Sequence, residues 1–326
     1  MTVPNAATSC AGIAVLSVVL AAGAQAQLKG HYVPGFAGLQ SGTQPPPGIS
    51  VFVPVYFYTT DDIRDDDGES IGANPRVNAT FLGPGVALVT NTTLLGGNFG
   101  ASVAPLNFIK SRIEGNSLDV PGSFAFTDMY VQPIQLGWEK PRADFVAGYG
   151  FFAPTGKWEL GGDDNAGLGM WSHLFQAGTT LRLDTTHEWT LSALGSYEIH
   201  SHKKDTDLKV GDLLTVEGGL GKTFLKLEMV GGKPVPTLVT NLGLVYYGQF
   251  KMTSDKAGQG TSLLEGSKDR VFAVGLEGNV IIPKSKMVYG LRIEPEIRSA
   301  ESHAGLDVPA HRRVRAQVAG PKSRVT

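Results

Sequence analysis

The chain has 326 residues, 42 of them glycine, with 18% charged residues, one cysteine and a net charge of −2. That balance carries no signal for nucleic acid. A mean hydropathy of −0.02 excludes a helical membrane protein unless long apolar runs exist, and there is one such run.

That run, residues 11–23, is about thirteen residues long, too short to span a bilayer as a helix. Ala24-Gln25-Ala26 follows as a small-residue cleavage pattern, so residues 1–26 read as a secretory signal peptide, although no Lys or Arg precedes the apolar stretch. Cys10 lies before the run rather than at its end, which argues against a lipoprotein anchor. After cleavage no cysteine is left, so disulfides do not hold the exported chain.

Residues 27–48 are rich in Gly and Pro and cannot form a regular strand or helix, which suits a periplasmic lead-in or a plug in a barrel mouth. From residue 49 the pattern changes to alternation. Phe145, Ala147, Tyr149 and Phe151 alternate with Asp144, Val146, Gly148 and Gly150. Trp189, Leu191, Ala193, Tyr197 and Ile199 alternate with Thr190, Ser192, Ser196, Glu198 and His200. Period-2 alternation means strands with two different faces. Large apolar side chains on one face and small or charged ones on the other, repeated from end to end, predict lipid outside and a polar lumen inside.

Strands are expected at 49–58, 76–90, 95–109, 124–138, 143–152, 171–184, 189–200, 213–224, 238–252, 270–282 and 287–298. Pro54 marks the first as an edge or a bulge. Short turns at 139–142, 185–188 and 283–286 alternate with longer polar loops at 61–75, 154–170, 201–212 and 253–269, as a transmembrane barrel requires. Trp138 and Trp189 fall at the turn ends, and Phe151, Phe152 and Trp171 at the loop ends, as two aromatic girdles. The fold class is therefore an all-β antiparallel transmembrane β-barrel of about twelve strands.

The twelfth strand is missing. Residues 299–326 show no alternation, and from His311 onward they carry Arg312, Arg313, Arg315, Lys322 and Arg324 with no acid. This atypical basic tail reads as out of frame with a closing strand, the alternative being a natural basic tail.

Candidate chemistry is sparse. Residues 61–69 hold a run of acids, but a calcium-loop spacing would put Ile63 at the first ligand position. His200 and His202 could share one strand face as metal ligands, yet they read better as histidines of an outer loop. Ser196, His187 and Glu188 have no spacing that singles out a hydrolase, and Gly218–Thr223 lacks the P-loop spacing. No enzyme, metal site or cofactor is expected. The positions of interest are charges on the lumen face: Asp144, Arg182, Glu198, Glu217, Lys251, Glu277, Arg292 and Glu294. Both signs occur, which fits either a narrow polar path or a sealed interior of paired charges. Asp163 and Asp164 are candidates for gating the outer mouth.

Several stretches resemble one family. Gly30-His31-Tyr32-Val33-Pro34-Gly35, followed by Pro45-Pro46-Pro47-Gly48, resembles the opening of the "meta-pathway of phenol degradation" family of outer-membrane transporters. Ala153-Pro154-Thr155-Gly156-Lys157 with Asn165, Gly167, Gly169 and Trp171 resembles its central loop. Residues 211–224, 246–251 and 291–296 are similar to its later strands. The resemblance spans roughly residues 28–300, and the tail departs from it. It implies an outer-membrane location and passive passage of small hydrophobic or aromatic compounds. The alternative function is a structural barrel with a plugged lumen and working surface loops. Expected partners are outer-membrane lipid, the barrel-assembly machinery and a small hydrophobic substrate.

Overall fold

The structure is a computed structural model that describes residues 13–22, 30–60, 76–115, 118–122, 124–160, 162, 165–256 and 270–300. Among them every regular element is a strand. The strands are β1 (Ile13–Ala22), β2 (Gly48–Thr60), β3 (Arg76–Leu82), β4 (Gly85–Leu94), β5 (Gly97–Ala104), β6 (Phe108–Gly115), β7 (Leu118–Pro121), β8 (Ala125–Phe126) and β9 (Met129–Glu139). There follow β10 (Ala143–Ala153), β11 (Ser172–Arg182), β12 (Trp189–His200), β13 (Leu213–Val230), β14 (Lys233–Lys251), β15 (Arg270–Ile282), β16 (Met287–Ile293) and β17 (Glu296–Ala300).

Several of these segments are pieces of one stave, interrupted where proline removes a ladder donor. β3 and β4 flank Gly83-Pro84 and both pair with β2. β5 and β6 flank Pro105 and pair with β4 and β3 respectively. β9 then pairs with β5, and β7 and β8 with β6. β16 and β17 flank Pro295 and both pair with β15. Counted as staves, the antiparallel sheet follows the strands that alternation predicts. Several predicted limits move: β4 runs on to Leu94, β6 runs on to Gly115 and pairs there with β7, and β13 and β14 continue past Phe224 to a tight turn at Gly231-Gly232, where φ is +57° and +78°. Two consecutive positive φ values match the twist of a hairpin and are cheapest for glycine.

The antiparallel sheet does not close on itself. β2 and β16 do not pair with each other; β1 lies between them, parallel to both, with Leu16 opposite Val53 and Tyr289. Every other strand pairing is antiparallel. Of the tail expected to contain the closing strand, residues 299–326, Ser299 and Ala300 end β17, and 301–326 lie outside the described residues, as does the acidic run at 61–69.

The alternation is realised as two surfaces. Phe145, Phe175, Trp189, Leu191, Leu242, Leu244, Tyr289 and Leu291 are exposed on the outer face, while Ser192, Ser196, Thr215 and Gln249 are buried on the inner one. An exposed band of large apolar side chains around a polar interior is stable when lipid replaces water outside.

Candidate functional site

Residues 30–47 have no strand partner and run down the lumen from the loop end to the turn end, where the chain enters β2 at Gly48. With no neighbouring strand, many of their backbone donors go to wall side chains, while Ser41 N and Thr43 N close turns within the segment onto Gly38 and Gln40. His31 N and Tyr32 N donate to Glu198 at 2.8 and 3.2 Å. Gly35 N and Ala37 N donate to Glu217 at 2.8 and 3.2 Å, and the Tyr32 hydroxyl bonds the same carboxylate. Leu39 N donates to Glu277 at 3.1 Å, Gly42 N to Thr180 Oγ1 at 3.1 Å, and the Thr43 hydroxyl to Asp144 at 2.9 Å. In return Ser192 donates to the carbonyl of Gly38 and Arg292 to that of Gly35. This segment is a plug laced to the wall.

Its glycines are spacers against the wall. A Cβ on Gly38 would overlap the Glu277 and Arg292 side chains, and one on Gly42 would overlap the backbone of Thr179. Only a chain without side chains at these points can lie close enough for the bonds above.

The lumen charges read from the sequence fall as follows. Asp144, Glu198, Glu217, Lys251, Glu277, Arg292 and Glu294 are all buried. Arg182 grips Asp144 through both carboxylate oxygens at 2.8 and 2.9 Å. Arg292 pairs with Glu277 at 2.6 Å and lies 3.9 Å from Glu294, while Lys251 meets Asp255 at 3.0 Å. Of these charges, Glu198, Glu217, Glu277 and Asp144 accept bonds from the plug. Asp163 and Asp164 lie outside the described residues.

The loop end of the lumen holds a cluster that the sequence reading missed. His200 is not an outer-loop histidine: it is the last residue of β12, 2% exposed, and faces inward, while His202 is exposed. The expected strand 189–200 holds to its last residue, where His200 pairs in register with Ser172 and keeps the inward face that its alternation with Ile199 implies. His31 enters from the plug. Its Nε2 lies 2.8 Å from Asp128 Oδ2, and its Nδ1 lies 2.6 Å from Ser172 Oγ. Ser172 Oγ is also 2.8 Å from His200 Nδ1. Asp128 further accepts from Gly156 N at 2.8 Å and Leu168 N at 2.7 Å, which ties the long loop to the plug. Burial pushes the Asp128 carboxyl up, but His31 and these loop amides outweigh it and hold the group below its usual value. The ring of His31 stacks on Phe152 at 4.9 Å.

The order Ser172, His31, Asp128 has the connectivity of a hydrolytic triad. Ser172 has no exposed surface, however, and the nearby loop amides are committed to Asp128. Ser196, His187 and Glu188 do not converge: Ser196 accepts from Gln176, and the other two lie in the turn before β12. The ligand atoms of His31, Glu198 and His200 lie within 4.8 Å of one another.

Beside the plug, towards β2, β5 and β9, lies a cavity of about 400 Å³. Phe36, Phe52, Phe81, Tyr130 and Phe152 supply aromatic walls, and Gln132, Gln135 and Gln176, with the Glu277–Arg292 pair, are among its polar ones.

An apolar-out, polar-in antiparallel sheet around an internal segment is the architecture of an outer-membrane β-barrel. The chain matches the family described as "Putative MetA-pathway of phenol degradation" over residues 48–294, and it belongs to that family. The match begins at Gly48, so the plug lies outside it. The crystal structure of an outer membrane channel from Pseudomonas putida F1 is similar, with a TM-score of 0.58 and 13% identity, covering 83% of this chain and 94% of that one. No curated protein matches the chain.

Proposed function

We propose that this chain is an outer-membrane channel for small hydrophobic, including aromatic, compounds, and not an enzyme. The observation that carries the reading is the aromatic-walled cavity of about 400 Å³ between plug and wall. That volume lies in the range that encloses a small ligand, and its glutamines offer hydrogen bonds to a phenolic hydroxyl. The family's tie to phenol degradation supports the same substrate class. A triad whose serine is sealed from solvent argues against hydrolysis. Residues 1–26 are in this reading a cleaved leader, and the barrel-assembly machinery inserts the chain.

A second reading is favoured by the plug itself. So many bonds between residues 30–47 and the wall describe a closed resting state, in which the barrel is structural and its loops act. Planar-bilayer recording with phenol in the bath separates the two. Transport predicts current that phenol blocks in a concentration-dependent way, and loss of that block when Ala104→Trp fills the cavity. Absence of current in both chains supports the sealed barrel.

A further inference from the structure

We propose that His31, Glu198 and His200 form a binding site for a divalent transition ion of the zinc type, which latches the start of the plug to the barrel wall. The proposal concerns the closed plug and does not depend on what the lumen passes.

The donor set comes from two elements. His31 is contributed by the plug, and Glu198 and His200 by adjacent inward positions of β12. The side chains of His31, Glu198 and His200 are 5%, 2% and 0% exposed. Glu198 Oε1 lies 3.8 Å from Nδ1 of each histidine. In a tetrahedral zinc site, ligand atoms at the usual bond lengths lie about 3.4 Å apart. The two edges to Glu198 would then contract by a few tenths of an ångström, and the two imidazoles, within 4.8 Å of each other, would close further onto the ion. Two imidazoles and one carboxylate suit zinc and its neighbours better than magnesium or calcium, which take oxygen ligands.

The surrounding groups already orient the ligands. Asp128, fixed in place by the amides of Gly156 and Leu168, accepts from His31 Nε2–H, so the Nδ1 lone pair of His31 points into the cluster. A carboxylate behind a histidine is the usual support of a metal ligand. Ser172 Oγ sits between the two Nδ1 atoms, where it donates to His31 and accepts from His200 Nδ1–H. That arrangement leaves His200 Nε2 buried with no partner. Ion binding resolves this: the His200 proton moves to Nε2, its Nδ1 lone pair turns to the metal, and the serine hydroxyl rotates or becomes a fourth ligand. No net proton is released. The two positive charges are matched by Glu198, which ligates, and by Asp128 behind His31.

The test uses the full chain refolded in detergent, stripped with EDTA, and titrated with Zn²⁺ by calorimetry and with Co²⁺ by visible absorption. One equivalent should bind, and Co²⁺ should give the intense bands of a tetrahedral site. His31→Gln and His200→Gln should each weaken binding at least 100-fold, Glu198→Gln about tenfold, and exposed His202→Ala not at all. The glutamine variants keep polar bulk at the site, and heat-modifiable gel mobility checks that each is folded. Absence of binding to the folded wild type, or binding that both histidine variants retain, overturns the proposal.

Discussion

The Arg292 guanidinium sits 2.6 Å from Glu277 across β15 and β16, with both side chains below a tenth exposed. The same arginine donates to the carbonyl of Gly35, and Glu277 accepts from Leu39 N. One ion pair thus holds the wall to itself and the plug to the wall. Removing one member leaves a buried charge without its partner, which costs about 3–5 kcal/mol. Arg292→Met should therefore lower the urea midpoint of the folded barrel strongly and raise the open probability in planar bilayers. Arg292→Met combined with Glu277→Leu should recover most of the stability but not the closed plug, since the bonds to Gly35 and Leu39 stay lost. Recovery of both would show that the pair does not hold the plug.

The plug's glycines give a test that leaves the strands untouched. Gly38→Val would drive a side chain into Glu277 and Arg292, and Gly42→Val one into the backbone of Thr179. Each should push the plug off the wall and raise single-channel current several-fold, with heat-modifiable mobility unchanged. Gly96→Ala is the control: its turn has open space around the glycine, although its φ of +76° makes alanine mildly strained. Current equal to wild type in both valine variants would mean that the segment does not obstruct the lumen.

What the sequence disclosed follows from lipid. Alternation is strong wherever a residue must face hydrocarbon, so Phe145, Phe175 and Leu191 mark their strands and, by elimination, place Asp144, Glu198 and Glu217 inside. The family motifs named the same barrel. The plug left no such mark, because residues 30–47 bond to side chains rather than to a strand and so have no period. His31 stood within a family motif but with no role assigned, because its partners Asp128, Ser172 and Glu198 are 97, 141 and 167 residues away. His200 stood on the polar face at the end of its predicted strand, yet its neighbour His202 drew both into an outer-loop reading, and the register with Ser172 keeps His200 inside.

The turn before β12 carries a pH prediction. Asp184 accepts from the Thr186 hydroxyl and from the backbone of Trp189 and Glu188, which lowers its pKa from 3.8 to about 2. A depressed carboxyl stabilises the folded turn above its ordinary value and loses that contribution as the pH falls towards 2. Carboxyl carbon shifts followed by NMR in detergent should therefore show Asp184 ionised at pH 3. Thr186→Ala should move its midpoint back up. A midpoint near 3.8 in the wild type would mean that the turn does not hold the carboxylate.

The seam between β2 and β16 sets the last prediction. Each strand there pairs on its open side only with β1, the stretch that reads as the apolar part of a leader. Parallel insertion between two strands is foreign to a barrel built of hairpins, and it supplies backbone partners that neither edge otherwise has among the described residues. If cleavage after Ala26 removes β1, both edges face lipid, where each unpaired backbone group costs several kcal/mol. A chain starting at Gln27 should then exchange amide hydrogens faster in Gly48–Thr60 and Met287–Ile293 than the full chain does, with β10, β11 and β12 unchanged as internal references. It should also fold in lower yield, because a free edge invites pairing between copies. Equal exchange at the two edges with and without residues 1–26 would show that another segment closes the seam. The residues after Ala300 are the ones to test by deletion in that event.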